Sequence, residues 1–409
     1  MCLHFDDFAF HRYNCIKKRP TKNDPFGGPF NLVGGETGIR TLGTFASTTV
    51  FETAPFNRSG ISPMDCKYLY FLHAALSVIC TPNHFSVYMH SFTELAKAYA
   101  EYFNTNHFPE QPATLYDPNR YFLQLGGKRI RPLLVLMGNE LFDDINPNAW
   151  PVANAIELFH NFSLIHDDIM DMAPLRRGQP TVHEKYGSHT ALLAGDVMLV
   201  KAYDYLNQVD PSIGQRIMKW FNTTAMQVCE GQQLDMDFEK RNDVSLEEYI
   251  HMIALKTSVL LAGALRMGAI AGGASQRNAD HLYEFGKNLG IAFQVQDDYL
   301  DAFGDPDKFG KQVGGDILAN KKTFLLINAL ANAAVAEMDE LKMLLTSNPD
   351  DKVSRMLALY HKTGADAITR GLQEEYYNKA MYHLEEIAVV SVRKQPLKEL
   401  AEFLVQRDH

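Results

Sequence analysis

The sequence predicts an all-α protein, a large single domain of ten or more helices packed around one core. Three observations carry that prediction. Apolar residues recur at three- and four-residue spacing through most segments from about Ser91 onward. Strand-like alternation is almost absent. The breaks are helix-stopping turns: Gly126-Gly127, Asn146-Pro147, Arg177-Gly178-Gln179-Pro180, Asp210-Pro211 and Gly304-Asp305-Pro306.

In chain order, the periodic stretches are Pro132–Leu141, Trp150–Ile169, Thr190–Leu206, Ile213–Glu230, Ser245–Ala271, Ala279–Phe303, Lys322–Leu345 and Asp351–Lys362, with a final run to Val405. No solenoid-type repeat organises them. Hydrophobic residues make up 46% of 409 and charged residues 22%, so the chain can bury a large core.

Residues 1–88 have a different texture. They carry Pro-Phe-Gly-Gly-Pro-Phe at 25–30, Gly34-Gly35 and a Thr/Ser-rich stretch, with no helical period. The run Gly34–Pro63 reads as translated non-coding DNA. The expectation is an atypical extension, disordered or wrongly joined to the chain, with Met89 as the true start and 89–409 as the functional domain.

A net charge of −10 argues against a general nucleic-acid binder. It also requires any anionic ligand to be met by local Lys/Arg clusters or bound cations. Four of the five cysteines lie in the first 80 residues and no CxxC pair occurs, so neither a zinc site nor a disulfide framework is expected, and the body reads as cytoplasmic. Tyr68–Cys80 is too short to span a bilayer, and no other apolar run reaches that length. Phe5-Asp6-Asp7 does not fit a signal peptide.

Two aspartate clusters stand out, Asp167-Asp168-Ile169-Met170-Asp171 and Asp297-Asp298-Tyr299-Leu300-Asp301. Both read DDxxD. On a helix, positions i and i+4 share a face, so Asp167 pairs with Asp171 and Asp297 with Asp301. Like charges at that spacing repel unless a cation joins them, and hard divalent ions take oxygen ligands. Two copies about 130 residues apart, each in an otherwise apolar helix, point to metal-assisted phosphate chemistry rather than a solvated face. His166-Asp167 invites comparison with metal phosphohydrolases of the HD type, but that leaves the second cluster unexplained. His166 is read as a packed or hydrogen-bonded histidine.

Positive charge comes in short runs. Gly126-Gly127-Lys128-Arg129-Ile130-Arg131-Pro132 opens a helix after a glycine turn, and Pro132 suits a first helical turn. Arg176-Arg177 follows the first aspartate cluster. The pair of runs fits separate handling of two diphosphates. Lys311, Lys321 and Lys322 follow the second cluster.

Taken together, the pieces GGKRIRP (126–132), HNFSLIHDDIMD (160–171), LRRGQPT (175–181), LAGD (193–196), KTS (256–258), FQVQDDYLD (293–301), GDPDKFGK (304–311) and GGDILANKK (314–322) resemble the trans-isoprenyl diphosphate synthase family, in its order and spacing. The resemblance covers residues 91–409 and implies a helical bundle around a central cavity. It implies that Lys128, Arg131, His160 and Arg177 bind isopentenyl diphosphate. Arg176, Lys256, Thr257, Gln294, Lys311 and Lys321 would bind the allylic diphosphate. Asp167, Asp168, Asp171, Asp297, Asp298 and Asp301 would hold magnesium, about three ions. Asp167, Asp171, Lys256, Asp297 and Lys311 would be catalytic. A homodimer is implied as well.

The chemistry implied is ionisation of the allylic C–O bond, attack by the isopentenyl double bond on the carbocation, and proton loss, in a pocket poor in water. Product length should follow from what closes the pocket below Asp167. Phe162 lies five residues earlier, about 7.5 Å along the axis. Ser163 is small, and Phe159 lies further along the same helix. In the family, an aromatic fifth position, a small fourth and no insertion between the aspartates resemble the geranylgeranyl (C20) type. Phe159 could tighten the floor to farnesyl (C15). Terpene cyclases and head-to-head synthases share the aspartate motifs but not GGKRIRP. Non-catalytic subunits carry eroded aspartate motifs.

Overall fold

Several helices begin where the sequence supplies a partner for the first free N–H groups. Ser91 and Glu94 form a capping box at the start of α1 (Phe92–Phe103). Ser245 and Glu248 do the same for α8 (Leu246–Ile253). Asp210 caps α7 (Pro211–Glu239), with Pro211 at its first position. Ser275 caps α10 (Gln276–Phe303), and Thr323 caps α12 (Phe324–Asn332). The computed structural model describes residues 88–104, 106–241, 243–304 and 314–405. Contacts divide the chain between Asn83 and His84, and every described residue falls in the unit His84–His409. The expectations for residues 1–87 and for Lys311 lie outside the described residues.

The other elements are α2 (Ala113–Gln124), α3 (Ile130–Glu140), α4 (Ala149–Met170), a hairpin of β1 (Leu175–Arg176) and β2 (Gln179–Pro180), α5 (Val182–Tyr186), α6 (Ser188–Leu206), α9 (Val259–Ala271), α11 (Gly315–Leu318), α13 (Val335–Thr346), α14 (Lys352–Lys362), α15 (Ala365–Glu385) and α16 (Ser391–Val405). A five-residue π-helical segment, Ala254–Ser258, joins α8 to α9. The fold is all-α, and the hairpin is the only sheet among the described residues.

The stretch expected as one helix over Lys322–Leu345 is two. The chain is extended at Ala333 and Ala334, and α13 restarts with the Glu337 carboxylate accepting the Ala334 N–H at 2.8 Å. Apolar periodicity continues across the break, so it gave no warning. Conversely, α7 runs on to Glu239, nine residues beyond its expected end at Glu230.

At the centre, α9 packs between α3 and α10, and α4 packs along α6. Every residue of α9 is buried. The continuous run Leu246–Ala271 is long and apolar enough to cross a membrane, contrary to the expectation that no stretch reaches that length, and 83% of its apolar window is buried inside the protein. A satellite core of Ala302, Ile317, Leu325, Leu341, Met356 and Tyr360 lies under the chain beyond the second aspartate cluster.

Two helices meet backbone to backbone. A Cβ on Gly268 of α9 would lie 2.0 Å from the Val135 carbonyl oxygen, and one on Gly138 of α3 would lie 2.4 Å from that of Leu265. Neither obstacle is a side chain that can turn away, so the helices must separate to admit a methyl group. Gly268→Ala is therefore expected to lower stability by about 3 kcal/mol or more. Gly371→Ala, in α15 with nothing within 4 Å, should raise it by up to about 1 kcal/mol. Thermal unfolding followed by circular dichroism distinguishes the two.

Candidate active site

The approach to α3 is built from left-handed backbone. Gly126, Gly127 and Arg129 have φ of 75°, 142° and 47°. The β1–β2 hairpin turns through Arg177 and Gly178, at φ 54° and 75°, the positive pair that a type I′ turn requires. The two turns face each other. A Cβ on Gly127 would lie 2.8 Å from Arg177 Nη2, so only glycine lets the guanidinium close over the loop.

Between them is a cavity of about 330 Å³, lined by Lys128, Arg129, Arg131, Glu157, His160 and Arg177, with Thr257, Leu261 and Phe293. Lys128, Arg131, His160 and Arg177, which the resemblance implies bind isopentenyl diphosphate, thus meet in one place. Thr257, expected on the allylic side, opens onto this cavity too. Arg131 Nη1 donates to His160 Nε2 at 2.9 Å. Burial pushes Arg131 down to about 10. Burial, then the charges of Arg131, Arg177 and Arg176, holds His160 far below the ordinary histidine range, so it is a neutral acceptor.

Glu157 was not singled out from the sequence. It sits one turn before His160 on α4, and the available signal was an acid within an otherwise apolar helical stretch. Its Oε1 accepts from Asn161 at 3.0 Å, and its Oε2 is buried with no partner. Burial raises its pKa, opposed by Asn161 and by Arg129, Arg131 and Arg177. It supplies negative charge to a cluster of cations otherwise suited to an anion.

The first aspartate cluster ends α4. Asp167 and Asp171 lie one turn apart at the cleft. Lys256 Nζ is 3.7 Å from Asp167 Oδ1, and Arg176 Nη2 is 3.8 Å from Asp167 Oδ2. Asp167 Oδ1 is buried without a hydrogen-bond partner. Burial and the neighbouring Asp167 charge raise the Asp171 pKa. Asp168 is different: it is buried and accepts from Arg176 Nε at 2.8 and 2.9 Å and from Nη2 at 2.7 Å. It orients the arginine, and its oxygens are already occupied.

The second cluster divides similarly. Asp297 is half-buried. Asp298 is buried and accepts from Tyr249 Oη at 2.8 Å and from Gln294 Nε2 at 3.0 Å. Gln294, expected as an allylic ligand, is thereby committed to Asp298. Asp301 Oδ2 accepts the Asp316 N–H at 2.9 Å, anchoring α11. Lys321 Nζ lies 3.5 Å from Asp316; burial alone would lower its pKa, but Asp316, Asp298 and Asp235 hold it above the ordinary lysine value. The resemblance implies Asp167, Asp171 and Asp297 as metal ligands, with Asp168 supporting and Asp298 and Asp301 nearby, and the structure gives these last three protein partners of their own. A helix turns about 100° per residue, which carries Asp168 and Asp298 to a different face from the aspartate before each; Asp301 shares a face with Asp297 and is held instead by the Asp316 N–H.

Asp235 was also missed. Its Oδ2 is 2.5 Å from Lys256 Nζ, and its charge acts on Asp171 and Lys321 alike. It therefore lies between the two clusters. Gly231 allows this: a Cβ there would lie 2.2 Å from the Lys256 N. The expected end of α7 at Glu230 excluded these residues. The π-helical segment carries both Lys256 and Thr257, a local distortion frequent at functional sites.

Among the described residues no three His, Cys, Asp or Glu side chains are close enough together to hold a metal ion; Lys256 and Arg176 occupy the space at Asp167. The hard oxygen donors of Asp167, Asp171 and Asp297, with one Asp167 oxygen unpartnered, nevertheless fit a divalent cation that shares substrate phosphate oxygens.

The chain matches the polyprenyl synthetase family model over residues 112–362. It is 38% identical over 299 residues to a short chain isoprenyl diphosphate synthase of Methanothermobacter thermautotrophicus, covering 73% of this chain and 92% of that protein. It is 34% identical over 319 residues to a geranylfarnesyl diphosphate synthase of Natronomonas pharaonis, covering 73% and 92%. A crystal structure of a geranylgeranyl pyrophosphate synthase matches with a TM-score of 0.75 at 43% identity, covering 78% of this chain and 99% of that one. The chain belongs to the polyprenyl synthetase family. It is a short-chain trans-prenyl diphosphate synthase, and so a prenyltransferase.

Burial raises the pKa of an aspartate in each cluster, Asp171 in the first and Asp298 in the second. Burial pushes Asp298 up to about 6. Between about pH 4 and pH 6 the folded protein holds this proton more tightly than the unfolded chain does, so stability falls as pH rises through that window, by about 3 kcal/mol from this group. Asp298→Asn should flatten the urea-unfolding profile across it, with a chelator present throughout. A slope equal to the parent's would show that Asp298 does not ionise there.

Proposed function

We propose that this chain joins isopentenyl diphosphate head-to-tail to an allylic diphosphate and releases geranylgeranyl diphosphate as its main product. The observation that carries this reading is the separation of two cation sets. Lys128, Arg131 and Arg177 line one cavity, while Arg176 and Lys256 stand at Asp167. Two diphosphates, one reacting and one not, need two such sites.

In this reading the cavity holds the isopentenyl diphosphate, with His160 keeping Arg131 in place through the 2.9 Å hydrogen bond. Neutral His160 adds no charge to compete with the arginines. The allylic diphosphate meets Arg176 and Lys256, whose present partners, Asp167, Asp168 and Asp235, keep both cations extended toward the cleft. Lys321 and Lys311 complete the set. Asp167, Asp171 and Asp297 would hold magnesium, about three ions, which supplies Lewis-acid stabilisation to the leaving diphosphate. As the C–O bond breaks, fixed positive groups meet the charge developing on that diphosphate. The isopentenyl double bond, held beside it, attacks the carbocation, and the departed diphosphate is the nearest base for the proton. The apolar side chains Phe159, Phe162 and Ile165 of α4 keep water from the cation.

Phe162 and Phe159 close the elongation pocket. Their rings pack together at 5.6 Å, and Phe159 packs edge-on against Phe221 at 5.4 Å. Ser163 bonds the His160 carbonyl at 2.9 Å and leaves the cavity side small. We also propose a homodimer: Leu192, Leu193 and Val200 on α6 and Met226 on α7 are large apolar side chains left exposed. The cysteine distribution supports a cytoplasmic location.

Purified protein given isopentenyl diphosphate, magnesium and farnesyl diphosphate should yield a C20 diphosphate by mass spectrometry and lose turnover with EDTA. Asp171→Asn should lower kcat by about 10²- to 10³-fold. Arg131→Ala should raise KM for isopentenyl diphosphate by about tenfold or more while leaving that for the allylic substrate unchanged. No elongation of any allylic starter by the folded chain would sink the proposal.

A further inference from the structure

His166 stands immediately before the first aspartate cluster, yet its ring faces away from the cleft. Its Nε2 lies 3.1 Å from the Leu192 carbonyl oxygen. A carbonyl only accepts, so Nε2 carries the proton. The same atom is 3.8 Å from Asp196 Oδ1. Both partners belong to α6. The ring can reach them because position 195 is glycine: a Cβ there would lie 2.3 Å from Nε2 and 2.4 Å from Cδ2.

The other face of this contact is Phe162. The His166 and Phe162 rings meet edge to face at 4.7 Å. From Phe162 the contact passes to Phe159 at 5.6 Å, then to Phe221 at 5.4 Å, then to Tyr203 at 5.2 Å. The Tyr203 hydroxyl is fixed by Asn222 at 2.8 Å. The rings form one wall across α4, α7 and α6, and both its ends, His166 and Tyr203, are tied to α6.

We propose that Gly195 and His166 are positioning residues for product length. Glycine at 195 seats the His166 ring against α6, and that ring holds Phe162 as the floor of the elongation pocket. This rests on the reading of Phe162 as the floor. Without the brace, Phe162 loses one edge-to-face contact and its ring can swing down the pocket, admitting a further isoprene unit. Gly195→Ala tests the clamp from a different helix than the aspartates. The obstacle it meets is a side chain with room to rotate, so the fold survives.

The experiment measures the ratio of C25 and longer products to C20 in full-length parent, Gly195→Ala, His166→Ala, the double variant and Phe162→Ala, with thermal unfolding as the folding control. Loss of one edge-to-face contact corresponds to a shift of about threefold to tenfold toward longer products in each single variant at the clamp. The double variant should match His166→Ala, because the three atoms nearest the new methyl group all belong to the imidazole. Total isopentenyl consumption by Gly195→Ala should stay close to that of the parent. If Phe162→Ala lengthens the product while Gly195→Ala leaves the ratio at the parental value, shortens the product, or adds independently to His166→Ala, the clamp is wrong and the floor stands. If Phe162→Ala leaves product length unchanged, the floor reading itself fails and the clamp falls with it.

Discussion

Lys256 is the hinge of the site's electrostatics. Its ammonium lies 2.5 Å from Asp235 on α7 and 3.7 Å from Asp167 on α4. Two acidic helix faces would otherwise repel across the cleft. One cation between them lets the faces approach while leaving carboxylate oxygens with unfilled bonding capacity, Asp167 Oδ1 among them. That position depends on backbone: the π-helical segment Ala254–Ser258 presents Lys256, and Gly231 lets the segment press against α7. A methyl group at 231 would displace the backbone that carries the lysine, and with it the balance of charge.

The balance of charge is different in the cavity between the two turns. Arg129, Arg131 and Arg177 converge around Glu157, whose buried Oε2 has no hydrogen-bond partner. His160 stays neutral among them, and so adds a hydrogen bond without adding repulsion. In this cavity the cations outnumber the one acid, which suits an anion directly, whereas at Lys256 the acids Asp167, Asp168, Asp171 and Asp235 outnumber Lys256 and Arg176, which suits an added cation. The overall charge of −10 says nothing of this, because it averages over a surface the substrates do not meet.

Much of the site was legible because its motifs are local. DDxxD places carboxylates at i and i+4 whatever the rest of the chain does, and GGKRIRP places cations at a turn that only glycines can make. Lys128, Arg131, His160 and Arg177 come from three elements, and the structure gathers all four on one cavity. Asp168, Asp298 and Asp301 read like their neighbours, yet each is spent on a protein partner: Arg176, Tyr249 with Gln294, and the Asp316 N–H. Which face of the helix turns to the cleft is a question of packing. Asp235 and Glu157 carry no motif and stood out only once their helices were docked. The break at Ala333-Ala334 was hidden because the apolar period runs through it.

The sequence by itself determined that this chain is helical, where the capped helices start, and which short motifs carry cations and carboxylates. These properties are set within one or two turns, by caps, periodicity and glycine turns. Only the tertiary structure decided which carboxylates face the cleft, that Lys256 bridges two helices, and that an aromatic wall runs from His166 to Tyr203. Those depend on contacts between residues far apart in the chain, fixed by how closely two helices can pack, and at Gly127, Gly195, Gly231 and Gly268 that distance is set by the absence of one carbon atom.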